Sequence, residues 1–244
     1  YPHCCEWKDN IHYLLIDGTE IANWHIFQYN DCALNPVYPQ GGTWNGAREG
    51  WCPGDPVKDF EFEITGFIND DELNIDYDIT KVPENNQGMG NGNYVMAMHL
   101  MQYGQSNFEI DAEIYDIITP GMQDDYSRVN PICSGPEVII RNNGTSDLTS
   151  LNIEYFVSGG NTLNYDWTGL IQPNHKEVIT LPVLNNSFWI GDMNNIFTVN
   201  ISEPNGLIDE YGDNNTYKSS FTIPDLYEQG MVFKLKTNNQ AYRY

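Results

Sequence analysis

Leu151-Asn152-Ile153-Glu154-Tyr155-Phe156-Val157-Ser158-Gly159-Gly160 carries apolar side chains at alternate positions up to a turn. Leu151, Ile153, Tyr155 and Val157 place an apolar side chain at every second position, and Ser158-Gly159-Gly160 then supplies a turn. Period two is the side-chain period of a β-strand, so one face can enter a core while the other meets water. The same pattern recurs along the chain. Phe60, Phe62 and Ile64 alternate with Glu61, Glu63 and Thr65; Leu73, Ile75, Tyr77 and Ile79 alternate with Asn74, Asp76 and Asp78; Phe197, Val199 and Ile201 repeat it. Turn-forming clusters lie between these runs, at Asn69-Asp70-Asp71, Glu84 to Asn93, Asn142-Asn143-Gly144 and Gly212-Asp213-Asn214. No stretch keeps a helical period beyond two turns. The chain reads as all-β.

A boundary falls at Tyr103-Gly104-Gln105. Before it, residues 94–103 read as a closing strand buried on both faces. After it, Phe108 to Ile118 opens a series of regularly spaced strands, as expected of a sandwich of about seven strands. The expected domains are therefore 1–104 and 105–225. Residues 226–244 are the tail or the start of a further module, because Met231 to Lys236 is strand-like but too short to fold alone. The polypeptide is expected to continue past Tyr244.

Composition narrows the function. Of 244 residues, 34 are acidic and 11 are Lys or Arg, giving a net charge of −23. Phosphate binding is driven by Lys and Arg displacing counterions, so a nucleic-acid partner is excluded. A charged fraction of 18% and an aromatic fraction of 13% mark a chain that buries a core rather than an acidic disordered tail. No apolar run approaches the roughly 20 residues that span a bilayer. The five cysteines (4, 5, 32, 52 and 133) lack the spacing of a structural zinc site. Few bases, many Asn, Tyr and Gly, and the triplets at Asn143, Asn185, Asn200 and Asn214 point to a secreted or cell-surface protein.

Two segments carry the chemistry. One is His3-Cys4-Cys5-Glu6-Trp7 with His12; the other is Gly41-Gly42-Thr43-Trp44 followed by Arg48-Glu49-Gly50-Trp51-Cys52-Pro53-Gly54. Tryptophan stacks on sugars or peptides, and arginine clamps oxygens through a planar fork. A stapled loop with core tryptophans is the alternative. The two segments together resemble the C-terminal half of the peptide-N-glycosidase F family. That family shows a Cys-x-Glu-Trp box with a His six residues beyond the Glu, matched by Cys4, Glu6, Trp7 and His12. It then shows a Cys, an Asn-Pro stretch, a Trp and Arg-x-Gly-Trp-Cys-Pro-Gly, matched by Cys32, Asn35-Pro36, Trp44 and Arg48 to Gly54. The resemblance covers about residues 3–104.

It implies an antiparallel jelly roll over 1–104 and an activity that hydrolyses the amide joining an N-glycan to asparagine. It implies Glu6 and Arg48 as catalytic residues and Trp7, Trp44, Trp51 and His12 as substrate-binding residues. It also implies a Cys32–Cys52 disulfide, which would close a loop of about twenty residues and contribute roughly 3 kcal/mol. Amide hydrolysis needs a carboxylate for water and a cation or donor for the developing oxyanion. The implied partners are a glycoprotein or glycopeptide and an upstream jelly-roll half of the same polypeptide, which carries the family's principal aspartate. No cofactor is implied, and without that half the chain is expected to be inactive. The sequence departs from the family pattern in having Lys8 after Glu-Trp and an extra Cys5. Cys4 and Cys5 could bridge each other, Cys133, or sequence elsewhere.

The second domain resembles Ig-like modules appended to secreted proteins of the Bacteroidetes type, with Trp167 and Trp189 as core anchors. Its tail faintly resembles the start of a module in type IX secretion cargo, which makes secretion machinery a candidate partner. Other readings follow from single motifs. His12, beside the apolar run Tyr13 to Ile16, reads alternatively as a hydrogen-bonded structural histidine. His3, Cys4, Cys5, Glu6 and His12 match no strong metal template, so no metal site is assigned. Met96, Met98, His99 and Met101 suit copper, because the jelly-roll pair also resembles copper-dependent peptide-hydroxylating monooxygenases. Alternating Met on a buried strand is also ordinary core filling. The acidic loop Asp209 to Asp213 offers oxygens for Ca²⁺ or is a solvated turn. Against the amidase stands a non-catalytic cell-surface binding, adhesion or spacer module.

Overall fold

The computed structural model describes residues 9–28, 48–49, 59–68, 72–81, 96–126, 135–184 and 186–222. They fall into two compact units, one up to Met101 and one from Gln102. Every described sheet is antiparallel, and the only helical elements among the described residues are single 3₁₀ turns. The all-β class read from the alternation is the class of the structure.

In the first unit, β1 (Ile11–Ile16) is the central strand of three, flanked by β2 (Thr19–His25) and β5 (Ile75–Ile79). Asp17 and Gly18 make the hairpin turn between β1 and β2, both at positive φ (49° and 76°). Two such residues give a turn whose twist matches the strands it joins, and glycine takes that conformation without a Cβ clash. The Asp17 carboxylate and amide also bond the backbone of Asn74, tying the turn to the approach of β5. Along β1 the buried residues are His12, Leu14 and Ile16, with half-buried residues between them. A second, two-stranded ladder pairs β3 (Phe27–Gln28) with β4 (Arg48–Glu49).

Two expectations for this unit are corrected. Residues 60–64 alternate perfectly yet form no strand and run into a 3₁₀ turn at Thr65–Phe67. Phe60 and Phe62 instead pack their rings against Trp24. Residues 96–101 are not a closing, doubly buried strand. They form no strand, and Met96, Met98, Leu100 and Met101 are exposed.

The described residues of the second unit form a sandwich of seven strands. Its strands are β6 (Ala112–Thr119), β7 (Glu137–Asn142), β8 (Leu148–Val157), β9 (Leu163–Ile171), β10 (Lys176–Thr180), β11 (Ile196–Ser202) and β12 (Thr216–Ser220). One sheet runs β10-β7-β6 and the other β12-β11-β8-β9. The alternating run lies in β8, with Leu151, Ile153, Tyr155 and Val157 all buried. Both sheets feed one core, in which Ile117, Val138 and Ile140 meet Ile153, Tyr155, Phe197 and Val199. Each such side chain contributes roughly 1.5–3 kcal/mol of transfer free energy on burial. Trp167 is buried in that core and Trp189 packs on its margin, edge-on to Phe188 and Phe221. The fourth strand, β9, stays beside the third. In a constant-type immunoglobulin domain it would cross to the sheet of the first, second and fifth.

Candidate functional site

The described chemistry of the first unit gathers at one end of its sheet. His12 stands opposite Trp24 on β2 and Ile79 on β5. Its side chain is 1% exposed, its Nδ1 lies 2.5 Å from the Tyr77 hydroxyl, and its ring stacks on Trp24 at 5.9 Å. This is a packed, hydrogen-bonded imidazole, the alternative reading of His12, and not a side chain presented to solvent. Burial holds its pKa below the ordinary histidine value, the nearby His25 pushes the same way, and Asp9 partly opposes them. The neutral ring is therefore the favoured form.

Around it the start of β1 is tied down by polar contacts. Asn10 is fully buried. The Ile11 amide donates to the Thr80 hydroxyl at 2.9 Å, and the Thr80 amide donates to the Ile11 carbonyl at 2.9 Å. Asp9 pairs with His25 at 2.7 Å.

The strand register connects this end to Arg48. Ile11 is the partner of His25, and two residues beyond His25 the chain enters β3, where Gln28 is the partner of Arg48. The backbone of Arg48 is thus carried to the end of the sheet at which β1 begins. Glu6 lies three residues before Asp9 in the sequence. Of the residues read as functional, Glu6, Trp7, Trp44, Trp51, Cys32 and Cys52 lie outside the described residues, as do Cys4, Cys5 and Cys133. Sequence reasoning missed Tyr77 and Trp24, which contact His12. Tyr77 was visible only as one apolar position in an alternating run.

The remaining candidates resolve into structural roles. Met96, Met98, His99 and Met101 are exposed on a segment without a strand. Among the described residues no group of three or more His, Cys, Asp and Glu side chains converges as a metal site. Two of the three carboxylates of the acidic loop accept from backbone amides: Asp209 from Ala112 and Tyr211, and Glu210 from Glu109. Asp111 is buried beside them and accepts from Asn214. Burial raises its pKa, the Asn214 bond partly offsets this, and Asp209, Glu113 and Glu210 raise it further. The amide groups of Asn143, Asn200 and Asn214 donate to Glu113, Glu154 and Asp111, so these triplets are built into the fold. Asn185 lies outside the described residues.

Residues 2–101 match the family model described as peptide-N-glycosidase F, C terminal, so this stretch is similar to that family. No curated protein matches the chain. Among solved structures, the chain is similar to a domain from Methanosarcina acetivorans described as from a cell surface protein. The identity is 18%, covering 50% of this chain and 98% of that one, with a TM-score of 0.34. It is also similar to a CARDB domain from Pyrococcus furiosus in complex with di-metal ions. There the identity is 21%, covering 35% of this chain and 70% of that one, with a TM-score of 0.24. Among the described residues no helix is long and apolar enough to cross a membrane.

Proposed function

We propose that the chain is part of a secreted peptide-N-glycosidase F-like amidase that cleaves the bond between an N-glycan and its asparagine. The reading rests on one observation above others: residues 2–101 match that family, and the sequence carries the family's motifs at Glu6 and Arg48. In the reaction, water adds to the side-chain amide carbon, the carbon–nitrogen bond breaks, and the sugar leaves as a glycosylamine that takes up a proton. The asparagine becomes aspartate. Glu6 activates or orients the water, and Arg48 stabilises the oxyanion that forms on the carbonyl. Trp7, Trp44 and Trp51 offer aromatic faces to the glycan, and a Cys32–Cys52 bridge braces the loop between them.

Residues 1–104 supply one wall of the pocket, and an upstream jelly-roll half with its own carboxylate supplies the other. No cofactor is assigned. Residues 105–225 act as a spacer domain, and 226–244 are a tail or the start of a further module. A purely non-catalytic spacer role is the second reading. It draws on the second unit, whose loop carboxylates and amides are engaged within its own fold.

The test is deglycosylation of a denatured glycoprotein by the native polypeptide containing this chain, compared with its Glu6→Gln variant. A loss of a hundredfold or more in the variant supports the assignment. Equal rates remove Glu6 from the mechanism, and no deglycosylation by the unmodified polypeptide leaves the spacer reading.

A further inference from the structure

We propose that the outer face of the β10-β7-β6 sheet carries a binding site for a carboxylate attached to an aliphatic group, with Arg141 and Lys176 as its anchors. The site goes beyond the spacer role of the second unit and does not depend on the amidase reading of the first.

The observation behind it is a placement of charge that the fold alone disfavours. The described residues of the second unit contain three Lys and Arg side chains, Arg141, Lys176 and Lys218. Two of them stand directly opposite each other, Lys176 on β10 pairing with Arg141 on β7. Side chains so paired have Cβ atoms about 4.5–5.5 Å apart, and like charges there repel. In a chain of net charge −23 the expected remedy is a neighbouring carboxylate. One is at hand, because the partner of Arg141 on its other side is Glu113 of β6. Yet the Glu113 carboxylate accepts from Asn143 at 2.8 Å, and among the described residues no ion pair includes Arg141. The Arg141 Nε is buried and, among the described residues, donates to nothing. Lys176 reaches across β7 and sets its Nζ 3.8 Å from the centre of the Tyr115 ring. A ring face holds an ammonium in place without cancelling its charge. Two half-buried cations are therefore held side by side with no counter-ion between them.

The ligand's chemistry follows from its surroundings. Val138, Ile140 and Ile179 enter the core, so Ile139, Arg141, Val178 and Lys176 face outward on the alternate positions. A guanidinium fork matches the two oxygens of a planar carboxylate, and the adjacent ammonium adds a second positive charge. The next row of the face is apolar: Val178 pairs with Ile139, and Tyr115 lies in the β6 bulge beside them. Val178 is 53% exposed and Tyr115 38% exposed, a strip that suits an aliphatic group better than the hydroxyl-rich ring of a sugar acid. The acidic remainder of the chain repels polyanions, which favours a ligand with a single negative charge. A peptide's aliphatic C-terminus and a short fatty acid share this chemistry.

Calorimetric titration of the native polypeptide with N-acetyl-leucine is the test, with N-acetyl-leucinamide as the uncharged control. The acid is expected to bind with a Kd of about 1 mM or tighter, and the amide about tenfold more weakly or worse. Arg141→Met and Lys176→Met keep an aliphatic stem and remove the charge. Each should weaken binding about tenfold, while the melting temperature holds or rises because the repulsion is relieved. A merely structural role would lower the melting temperature instead. Lys218→Met should leave binding unchanged. Glycylglycylleucine and octanoate then separate the two sources, and tighter binding of either one supports the site. Equal binding of acid and amide, full affinity in both anchor variants, or no binding of N-acetyl-leucine overturns the proposal. Tighter binding of inorganic sulfate or of sialyllactose also overturns it, by assigning the two bases to a different anion.

Discussion

Replacing Asn142 by alanine tests how the second unit is held together. Asn142 ends β7, is 2% exposed, and uses its whole side chain. Its Nδ2 donates to the carbonyls of Ser146 and Ile171, both at 2.8 Å, and its Oδ1 accepts from the Gly144 amide at 3.0 Å. One residue thereby joins the β7–β8 turn to the end of β9 on the other sheet. The Gly144 amide keeps a second acceptor, the Asp111 carbonyl, at 3.1 Å, so its loss is small. The Ser146 and Ile171 carbonyls lose these donors, and a buried group left unbonded costs about 1–3 kcal/mol. The sum is about 3 kcal/mol. For a unit of this size that is a fall of about 10–15 °C in melting temperature. Calorimetry of the whole chain measures it, with Trp167 fluorescence assigning the affected transition. Asn142→Asp keeps the acceptor, loses both donations and buries a charge, so it should be at least as destabilising at neutral pH. A loss below about 1 kcal/mol in the alanine variant would refute the reasoning.

Three further outcomes are expected. Gly191→Ala should destabilise the second unit by about 2–3 kcal/mol in chemical denaturation, because the new Cβ would sit 2.1 Å from the Ser158 carbonyl oxygen. His12, with a folded pKa held below its unfolded value, binds fewer protons folded than unfolded between the two values. Its contribution to stability is therefore full above the unfolded value and declines as pH falls through the window below it. Melting of the first unit should show that acid dependence, and His12→Asn should flatten it. Asp111 has the opposite sign: its raised pKa means stability declines as pH rises above its unfolded value. Asp111→Asn should therefore raise the melting temperature more at neutral pH than at acid pH.

Period two was informative wherever an alternating run also had a neighbour to pair with. Leu151 to Val157 and Phe197 to Ile201 lie in β8 and β11, and Ile75 to Ile79 is β5. Where no ladder partner exists, the same pattern misleads. Phe60 and Phe62 alternate because both face Trp24, which is a statement about side chains and not about backbone pairing. Met96, Met98 and Leu100 alternate and remain exposed. The site divides in the same way. Arg48 was legible from a local motif, but its pairing with Gln28 is a two-residue ladder between distant positions in the sequence and leaves no periodic trace. Tyr77 joins His12 across 65 residues, a contact made by the sheet register and invisible to local reading. The acidic loop was legible as charge. Its occupation by backbone amides depends on the approach of Glu109 and Ala112 from far along the chain.

As proposed, residues 1–104 form half of an amidase acting on the glycan–asparagine bond. Mass spectrometry of an N-glycopeptide incubated with the native polypeptide tests it most directly. The expected product is a peptide in which the glycosylated asparagine has become aspartate, with the glycan released whole. An unchanged glycopeptide, or one still carrying sugar on an intact asparagine, would contradict it.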